Sequence, residues 1–466
     1  MNFFDQIEMF AESTAVITDK SEHILYRELL DKADELKKHL DGRCLVFCIC
    51  ENNLAALTGY LGFLRASAVS VMISSSMDST LLENLVKTYL PQYIWAPKDN
   101  CAAKMGYQVV YEFDHYVLLR TGFNVTHSLH ADLALLLTTS GSTGSPKLVR
   151  LSYKNITSNA ESIAHYLRIT SADRPITSLP MHYSYGLSII NSHLLRGCSI
   201  ILTNKTLMDK AFWELLKNHN ATTFGGVPYT YEMLKRLRFA RMELPSLAVL
   251  TQAGGKLSLE LCEEFASICE AKNIRFFVMY GQTEATARMS YLPDGYTKTK
   301  VGSIGIPIPG GEFWLEDEQG RKITEIGTVG ELVYKGENVS MGYANGPEDL
   351  VKGDENGGIL HTGDLARFDS DGFYYIVGRK KRFLKLFGNR INLAEVEELL
   401  LAYGHDCACA GEDDKMKVFI TDKERQDEVY RLVSEKTGVH RTGFVVIPVD
   451  VIPRNESGKV LYSQLE

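Results

Sequence analysis

The sequence predicts an α/β fold: a large N-terminal domain of mainly parallel βα sheets with a small β-rich subdomain, followed by a small α/β C-terminal domain. Three observations lead there. Short apolar, β-branched runs alternate with longer amphipathic stretches up to residue 271. Beyond about residue 300, glycine and proline recur between short alternating runs. Past residue 378 a basic run leads into a compact module of helix and strand patterns. Strands that alternate with helices imply crossover connections and hence parallel pairing, whereas short runs punctuated by turn residues imply antiparallel β structure.

Taken in order, residues 45–50 read as a buried strand, 53–65 as a helix, 69–73 as a strand and 80–89 as a helix. The rhythm returns with strands at 199–202, 222–224 and 247–251 and helices at 211–219, 229–237 and 257–271. Residues 312–315 and 330–334 alternate as short strands do. Asp371-Gly372 is a hairpin-type turn before a strand at 373–377. A helix at 393–401 follows, with Asn392 as N-cap. The domains are therefore expected at 1–378, with the β-rich subdomain from about 300 to 378, and at 379–466.

The 466 residues are 45% hydrophobic and 23% charged, which suffices for a large core without disulfide or metal staples. A net charge of −8 argues against broad binding to nucleic acid or to anionic membrane. Apolar runs such as 133–137 and 445–447 are strand-sized, far short of the ~20 residues of a spanning helix. Asp5 and Glu8 interrupt the first ten residues, so no signal-peptide pattern starts the chain. A cytoplasmic enzyme is expected. Nine cysteines are scattered. The pairs Cys48/Cys50 and Cys407/Cys409 lack the spacing of zinc ligands and read as buried free thiols.

The strongest local signal is Leu137-Thr138-Thr139-Ser140-Gly141-Ser142-Thr143-Gly144-Ser145-Pro146-Lys147. A buried strand runs into small hydroxylated residues and glycines, closing on a lysine. Glycines let the backbone approach a phosphate, hydroxyl and N–H groups donate to it, and the lysine neutralises charge. A Walker loop would place Gly before the lysine and Ser or Thr after it; here Pro146 precedes and Leu148 follows. Proline also keeps Ser145 out of helical geometry, so no helix can begin there.

This loop resembles the signature of the adenylate-forming (AMP-binding) superfamily: acyl- and aryl-CoA ligases, luciferases and peptide-synthetase adenylation domains. Further motifs of that family follow in order, so the resemblance runs from about Thr138 to Val460. It implies a phosphate-binding role for Thr139, Ser140, Gly141, Ser142, Thr143, Gly144 and Lys147. Ala253-Gly254-Gly255-Lys256 is similar to the glycine turn that lies against adenine. Tyr280-Gly281-Gln282-Thr283-Glu284 matches the stretch that supplies an adenine contact (Tyr280), an α-phosphate ligand (Thr283) and a magnesium ligand (Glu284). In Thr362-Gly363-Asp364 the aspartate is implied to hold both ribose hydroxyls, and Gly378-Arg379 to close that site. Lys381 occupies the hinge position, as lysine does in luciferase and coumarate ligases. Pro453-Arg454-Asn455-Glu456-Ser457-Gly458-Lys459 resembles the closing motif, whose lysine, here Lys459, bridges the acid and the α-phosphate. The C-terminal domain is implied to be a mobile lid that carries this lysine, with the region of Lys385 and Gly388 presented to a pantetheine thiol.

Between loop and glycine turn lies Leu179-Pro180-Met181-His182-Tyr183-Ser184-Tyr185-Gly186-Leu187-Ser188. Amino-acid-activating relatives carry an aspartate for the α-ammonium where this chain has Gly186. A pocket without it would bury an ammonium unpaired at a cost of several kcal/mol, so an acyl or aryl acid is expected. Tyr183, Tyr185, Gly186 and Gly226, with Tyr229, are candidate pocket residues. The basic run Arg379, Lys380, Lys381, Arg382, Lys385 and Arg390 suits either CoA phosphates or the acidic helix of a carrier protein. The expected reaction uses ATP and Mg²⁺ to form acyl-AMP and pyrophosphate, then transfers the acyl group to CoA or to a carrier-protein phosphopantetheine. Two alternatives stay open: amino-acid activation and loading of a carrier protein, and a non-catalytic nucleotide-binding protein on the same fold.

Overall fold

The computed structural model describes the chain apart from Met1, Asn124, Thr126, residues 139–146, Phe387, Gly388, Asp413, Asp414, Gly438, residues 455–457, Lys459 and Glu466. For Lys381, Phe383, Lys385, Asn389, Arg390, Asn392 and Ser463 only the backbone is described. The chain forms two compact units. Of the described residues, the first comprises those within 2–138, 147–312 and 334–360, and the second those within 313–333 and 361–465.

The first unit is built on an eight-stranded and a five-stranded sheet, with a small three-stranded one beside them. From edge to edge the large sheet runs Gly342–Ala344, Leu148–Ser152, Leu133–Thr138, Val69–Ser74, Leu45–Cys50, Tyr93–Pro97, Tyr116–Arg120, Gln108–Phe113. Leu45–Cys50 is buried at every position, as its unbroken apolar run requires, and pairs in parallel with both neighbours. Asn53 starts the helix Leu54–Arg65 by accepting a hydrogen bond from the Ala56 N–H. Alternate sheet side chains, among them Leu45, Phe47, Ile49, Val69, Val71 and Ile73, join Leu82, Leu85 and Val86 of the helix Ser79–Tyr89 in one core.

The sheets are mixed rather than mainly parallel. Parallel pairing holds at the centre, but the outer strands Tyr116–Arg120, Gln108–Phe113, Leu148–Ser152 and Gly342–Ala344 all pair antiparallel. For two of these pairings connection length is the reason: a parallel crossover needs a dozen or more residues, and the links from 113 to 116 and from 138 to 148 are shorter. Thr138 therefore faces Leu148 across an antiparallel pair, and a strand rather than a helix follows Lys147.

In the five-stranded sheet Thr223–Gly226, Val249–Gln252 and Arg275–Tyr280 are parallel neighbours in continuous register. Ser290–Tyr291 and Ile306–Pro307 extend it antiparallel. The β-rich region expected from about residue 300 is thus divided. Ile306–Pro307 and the segment 334–360 belong to the first unit, while the sheet of Lys322–Ile323, Glu312–Glu316, Gly330–Lys335, Ile359–Phe368 and Tyr374–Arg379 belongs to the second except at the strand ends Glu312, 334–335 and 359–360. Asp369 closes the hairpin before Tyr374 by accepting from the Asp371 and Phe373 N–H groups, and Gly372 takes a φ of +80° there.

Also in the second unit, Cys407–Glu412, Lys415–Ile420 and Phe444–Pro448 form a three-stranded sheet packed on the helices Leu393–Ala402 and Gln426–Thr437. Eight of the nine cysteines are buried, and all nine are free thiols. The Cys48 and Cys50 sulfurs lie 3.8 Å apart on one sheet face. Among the described residues no helix is long and apolar enough to cross a membrane.

Arg150 holds the edge of the large sheet. Its side chain is fully buried, donates to the carbonyls of Tyr343 (3.0 Å), Met341 (2.8 Å) and Lys352, and pairs with Glu355. It fastens strand Gly342–Ala344 from inside the sheet it joins. Replacement by an apolar residue would strand these carbonyls and leave Glu355 with the more distant Lys352, at 3.7 Å. Arg150→Met is expected to lower stability by about 3 kcal/mol, read as a lower urea midpoint with unchanged slope.

Candidate active site

The parallel strands of the five-stranded sheet point the same way, and the loops that leave their carboxyl ends hold Gly254, Gly255, Lys256, Gly281, Thr283 and Glu284. Such ends are where ligands bind in open α/β sheets, because backbone N–H groups and loop side chains converge there free of strand pairing. Thr223–Gly226 leads to Val227-Pro228, Val249–Gln252 to the turn at 253–256, and Arg275–Tyr280 to Gly281-Gln282 and a 3₁₀ turn, Thr283–Ala285.

At the turn, Gly254 has a φ of +83°, and a Cβ there would lie 2.6 Å from the Tyr183 hydroxyl. Both backbone and packing thus demand glycine. Gln252 steadies the turn by donating to the Gly255 carbonyl at 2.8 Å, while Gly255 and Lys256 are exposed. Gln282 donates to the Tyr280 hydroxyl at 3.2 Å. The Thr283 hydroxyl lies 3.3 Å from that of Ser184, which opens the helix Ser184–Leu194.

Glu284, Lys147 and a residue that sequence reasoning did not pick, Tyr343, come together. The Tyr343 hydroxyl donates to Glu284 Oε1 at 2.8 Å, and the Lys147 ammonium sits 3.3 Å from the centre of its ring. Burial, reinforced by the Glu284 charge, pushes the Tyr343 pKa up, so the phenol stays protonated and donates. One Glu284 oxygen is held this way while the other accepts no hydrogen bond among the described residues. A single carboxylate oxygen beside a lysine fits a magnesium ion that takes its remaining ligands from phosphates and water. The backbone is fixed close by. Ser340 N–H donates to the Glu284 carbonyl, and Thr286 is held at φ +65° with its hydroxyl on the Asn338 carbonyl. A positive φ at a β-branched residue is uncommon and persists only where the surroundings enforce it.

The acid-side candidates differ among themselves. Tyr185 is buried, and its hydroxyl bonds the carbonyl of Thr251 at 2.9 Å; burial pushes its pKa up to about 12, with Arg288 pulling the other way. Tyr183 is half-buried over Gly254, Gly226 abuts Thr230 and Tyr231, and Tyr229 is exposed. Gly186 has a packing reason of its own. It lies in a helix that crosses the Pro180 carbonyl so closely that a Cβ would come within 2.2 Å of the oxygen.

In the second unit, Asp364 is 3% exposed and faces Arg379 across the Ile359–Phe368 and Tyr374–Arg379 pair, with Arg379 Nε 3.1 Å from its carboxylate. The Thr362 hydroxyl accepts from the Asp364 N–H, and Gly363, at φ +69°, donates to Glu331. The basic run is less free than its sequence suggests. Lys380 pairs with Glu331 at 2.7 Å. Arg382 makes a two-pronged pair with Glu397 at 2.8 and 2.9 Å, lies over the Tyr462 ring and donates to the Cys409 carbonyl. Arg382 is therefore an internal anchor of this unit and not part of a solvated patch. The expected Thr139, Ser140, Gly141, Ser142, Thr143, Gly144, Gly388 and Lys459 lie outside the described residues, as do the side chains of Lys381 and Lys385.

With this geometry in place, comparison with known proteins gives a family. The AMP-binding enzyme family matches residues 3–344. The chain belongs to that family. Among its relatives, a 2-succinylbenzoate–CoA ligase of Bacillus velezensis is 30% identical over 344 residues, 72% of this chain and 68% of the ligase. An oxalate–CoA ligase of Arabidopsis thaliana is 32% identical over 279 residues, 58% of this chain and 53% of that one. The structure of o-succinylbenzoate CoA synthetase from Bacillus subtilis with its acyl-adenylate intermediate superimposes with a TM-score of 0.78 at 22% identity, covering 100% of this chain and 98% of that one. The fold of this AMP-binding enzyme is thus that of the adenylate-forming structures, a large N-terminal and a smaller C-terminal domain.

The Gly186 packing yields a test of substrate class. Installing the aspartate of amino-acid activators, Gly186→Asp, is expected to destabilise the protein by about 3 kcal/mol through overpacking and to give no amino-acid-dependent pyrophosphate release. Urea unfolding and a pyrophosphate assay read the two effects.

Proposed function

We propose that this enzyme joins a carboxylic acid, acyl or aryl, to the thiol of CoA in two steps through an acyl-adenylate. The family match over residues 3–344, among relatives named as CoA ligases, carries this reading. A bare carboxylate is a poor electrophile. Attack of its oxygen on the α-phosphorus of ATP expels pyrophosphate and leaves a mixed anhydride, from which the thiolate displaces AMP.

In this reading Thr139, Ser140, Gly141, Ser142, Thr143, Gly144 and Lys147 hold the phosphates. Gly254, Gly255, Lys256, Tyr280 and Gly281 hold adenine, Asp364 and Arg379 the ribose, and Thr283 the α-phosphate. Glu284 would hold Mg²⁺, which supplies charge neutralisation on the phosphates when bound. Tyr343 fixes the orientation of that carboxylate, and the ring of Tyr343 fixes the approach of Lys147. Lys459 is assigned the meeting of two anions, where a positioned cation lowers the barrier most in a dry site. The division into a domain of residues 1–378 and a lid of 379–466, with Lys381 at the hinge and Lys385 and Gly388 on the thiol side, belongs to the same proposal. So does the cytoplasm as its place of work.

A carrier-protein phosphopantetheine is the alternative acceptor. Pairing of Lys380 and Arg382 with Glu331 and Glu397 removes two cations that either acceptor could have met, and the relatives named as CoA ligases favour CoA. Amino-acid loading is disfavoured by Gly186, and a non-catalytic role by the joined Lys147, Tyr343 and Glu284.

The test is ATP-dependent pyrophosphate release over aliphatic, aromatic, hydroxy and amino acids, with hydroxylamine trapping the adenylate. Release that depends on a non-amino acid supports the reading; release with no acid in the panel removes catalysis from it. Lys459→Ala is expected to abolish adenylation while sparing thioester formation from synthetic acyl-AMP, and equal loss of both half-reactions would take Lys459 out of that role. Tyr343→Phe is expected to raise the KM for MgATP about tenfold, the worth of one hydrogen bond to a charged group; an unchanged KM would separate Glu284 from the metal.

A further inference from the structure

Arg288 is a buried charge without a counter-charge among the described residues. It stands between the turn Thr283–Ala285 and the strand Ser290–Tyr291 and is 3% exposed. Its guanidinium carbon lies 3.8 Å from the centre of the Tyr185 ring, and its Nε has no hydrogen-bond partner. No carboxylate pairs with it among the described residues. The backbone around it is fixed, because the Arg288 carbonyl accepts from Asn159 Nδ2 at 3.0 Å and Asn338 Nδ2 at 2.8 Å. The charge reaches the hydroxyls of Tyr166 and Tyr183, opposing the rise that burial gives their pKa values.

A lone buried cation costs several kcal/mol even after relaxation, and stacking on a tyrosine offsets only part of that. Natural chains keep such a group where something else brings the anion. Here the place is the acid side of the site. Arg288 follows Glu284 by four residues, while its ring partner Tyr185 belongs to the segment before and within the helix Ser184–Leu194, next to Tyr183 over the glycine turn. The phosphate side already has Lys147 beside Glu284.

We propose that Arg288 anchors a second carboxylate of the substrate, remote from the one that is activated, so that the natural acid of this enzyme is a dicarboxylate. The assignment deepens the reading of the preceding subsection and rests on it. A planar guanidinium offers a paired donor edge matching a carboxylate. In a site walled by tyrosines that pair is screened little by water. A monocarboxylic acid of the same skeleton would leave the cation buried and unpaired, so the site rejects it rather than merely failing to attract it.

The experiment compares acid pairs that share a skeleton and differ by one carboxylate: butyrate with succinate, hexanoate with adipate, benzoate with phthalate. Pyrophosphate release gives kcat/KM for wild type, Arg288→Met and Arg288→Lys. The wild type is expected to prefer a diacid over its monoacid by about a hundredfold. Arg288→Met should erase that preference while retaining the wild-type melting temperature or exceeding it, because removing an unpaired buried charge does not weaken the apo fold. Arg288→Lys should keep part of the preference. Equal use of both members of every pair by the wild type, or a preference that survives in Arg288→Met, overturns the assignment. So does a loss of ATP affinity with acid selectivity intact, which would place Arg288 on the phosphates. If no acid supports pyrophosphate release, the proposed reaction fails, and calorimetric titration of the same diacids then decides for Arg288. Binding to wild type that Arg288→Met loses would retain the anion site, and indifference to the substitution would remove it.

Discussion

The loops of the candidate site in the first unit hang on three short strands that start together. Thr223–Gly226, Val249–Gln252 and Arg275–Tyr280 pair residue for residue in parallel, and the last of them runs two residues, Met279 and Tyr280, past the ends of the other two. Parallel strands buried between layers cannot slip by one residue without turning every side chain to the wrong face. The register is thereby rigid, and the loops that leave it inherit fixed starting points. Gly254 comes from one loop and Thr283 and Glu284 from another, yet they meet residues of the Tyr183–Ser184 segment and of strand Gly342–Ala344. A second constraint secures that strand: the buried Arg150, which threads the sheet to hold its edge.

Much of this could be read from the chain before any coordinates. Buried parallel strands advertise themselves as unbroken apolar runs, which is why 45–50 and 69–73 were legible almost to the residue. Helices were legible from period and caps, as with Asn53 ahead of Leu54–Arg65. Strand direction was not. Alternation of strands and helices signals crossovers, but antiparallel edges arise from connections such as 113 to 116, and their direction is a matter of length rather than composition. The path of 334–360, which returns to the first unit after leaving it, has no local signature at all, because its partners are remote in sequence.

The same distinction governs the site. Residues inside glycine-rich or motif-bearing loops could be singled out; residues that complete the site from elsewhere could not. Tyr343 looks like an ordinary strand tyrosine, and only its neighbours Lys147 and Glu284 make it otherwise. Its one advance signal is Gly342 immediately before it, with φ at +114°. Arg288 was hidden for the opposite reason: arginine is expected at the surface, and nothing local says that this one is buried. The basic run misled in the same way. Charge in a sequence shows only the cation, whereas the residues that neutralise two members of it stand outside the run, Glu331 49 residues from Lys380 and Glu397 15 residues from Arg382.

The edge strand Gly342–Ala344 also sets a schedule. Strand Leu148–Ser152 has its second neighbour roughly two hundred residues downstream, and the carbonyls that satisfy Arg150 lie at 341, 343 and 352. A chain leaving the ribosome at about 5–20 residues per second makes Arg150 ten seconds or more before its partners exist. Throughout that time the nascent sheet presents an open edge with a charged side chain that has no settled place. Contacts of such long sequence separation close late, because loop entropy is lost before they return anything. The first unit of this enzyme is therefore finished only near the end of its synthesis, and the edge that later carries Tyr343 is the one most in need of protection until then.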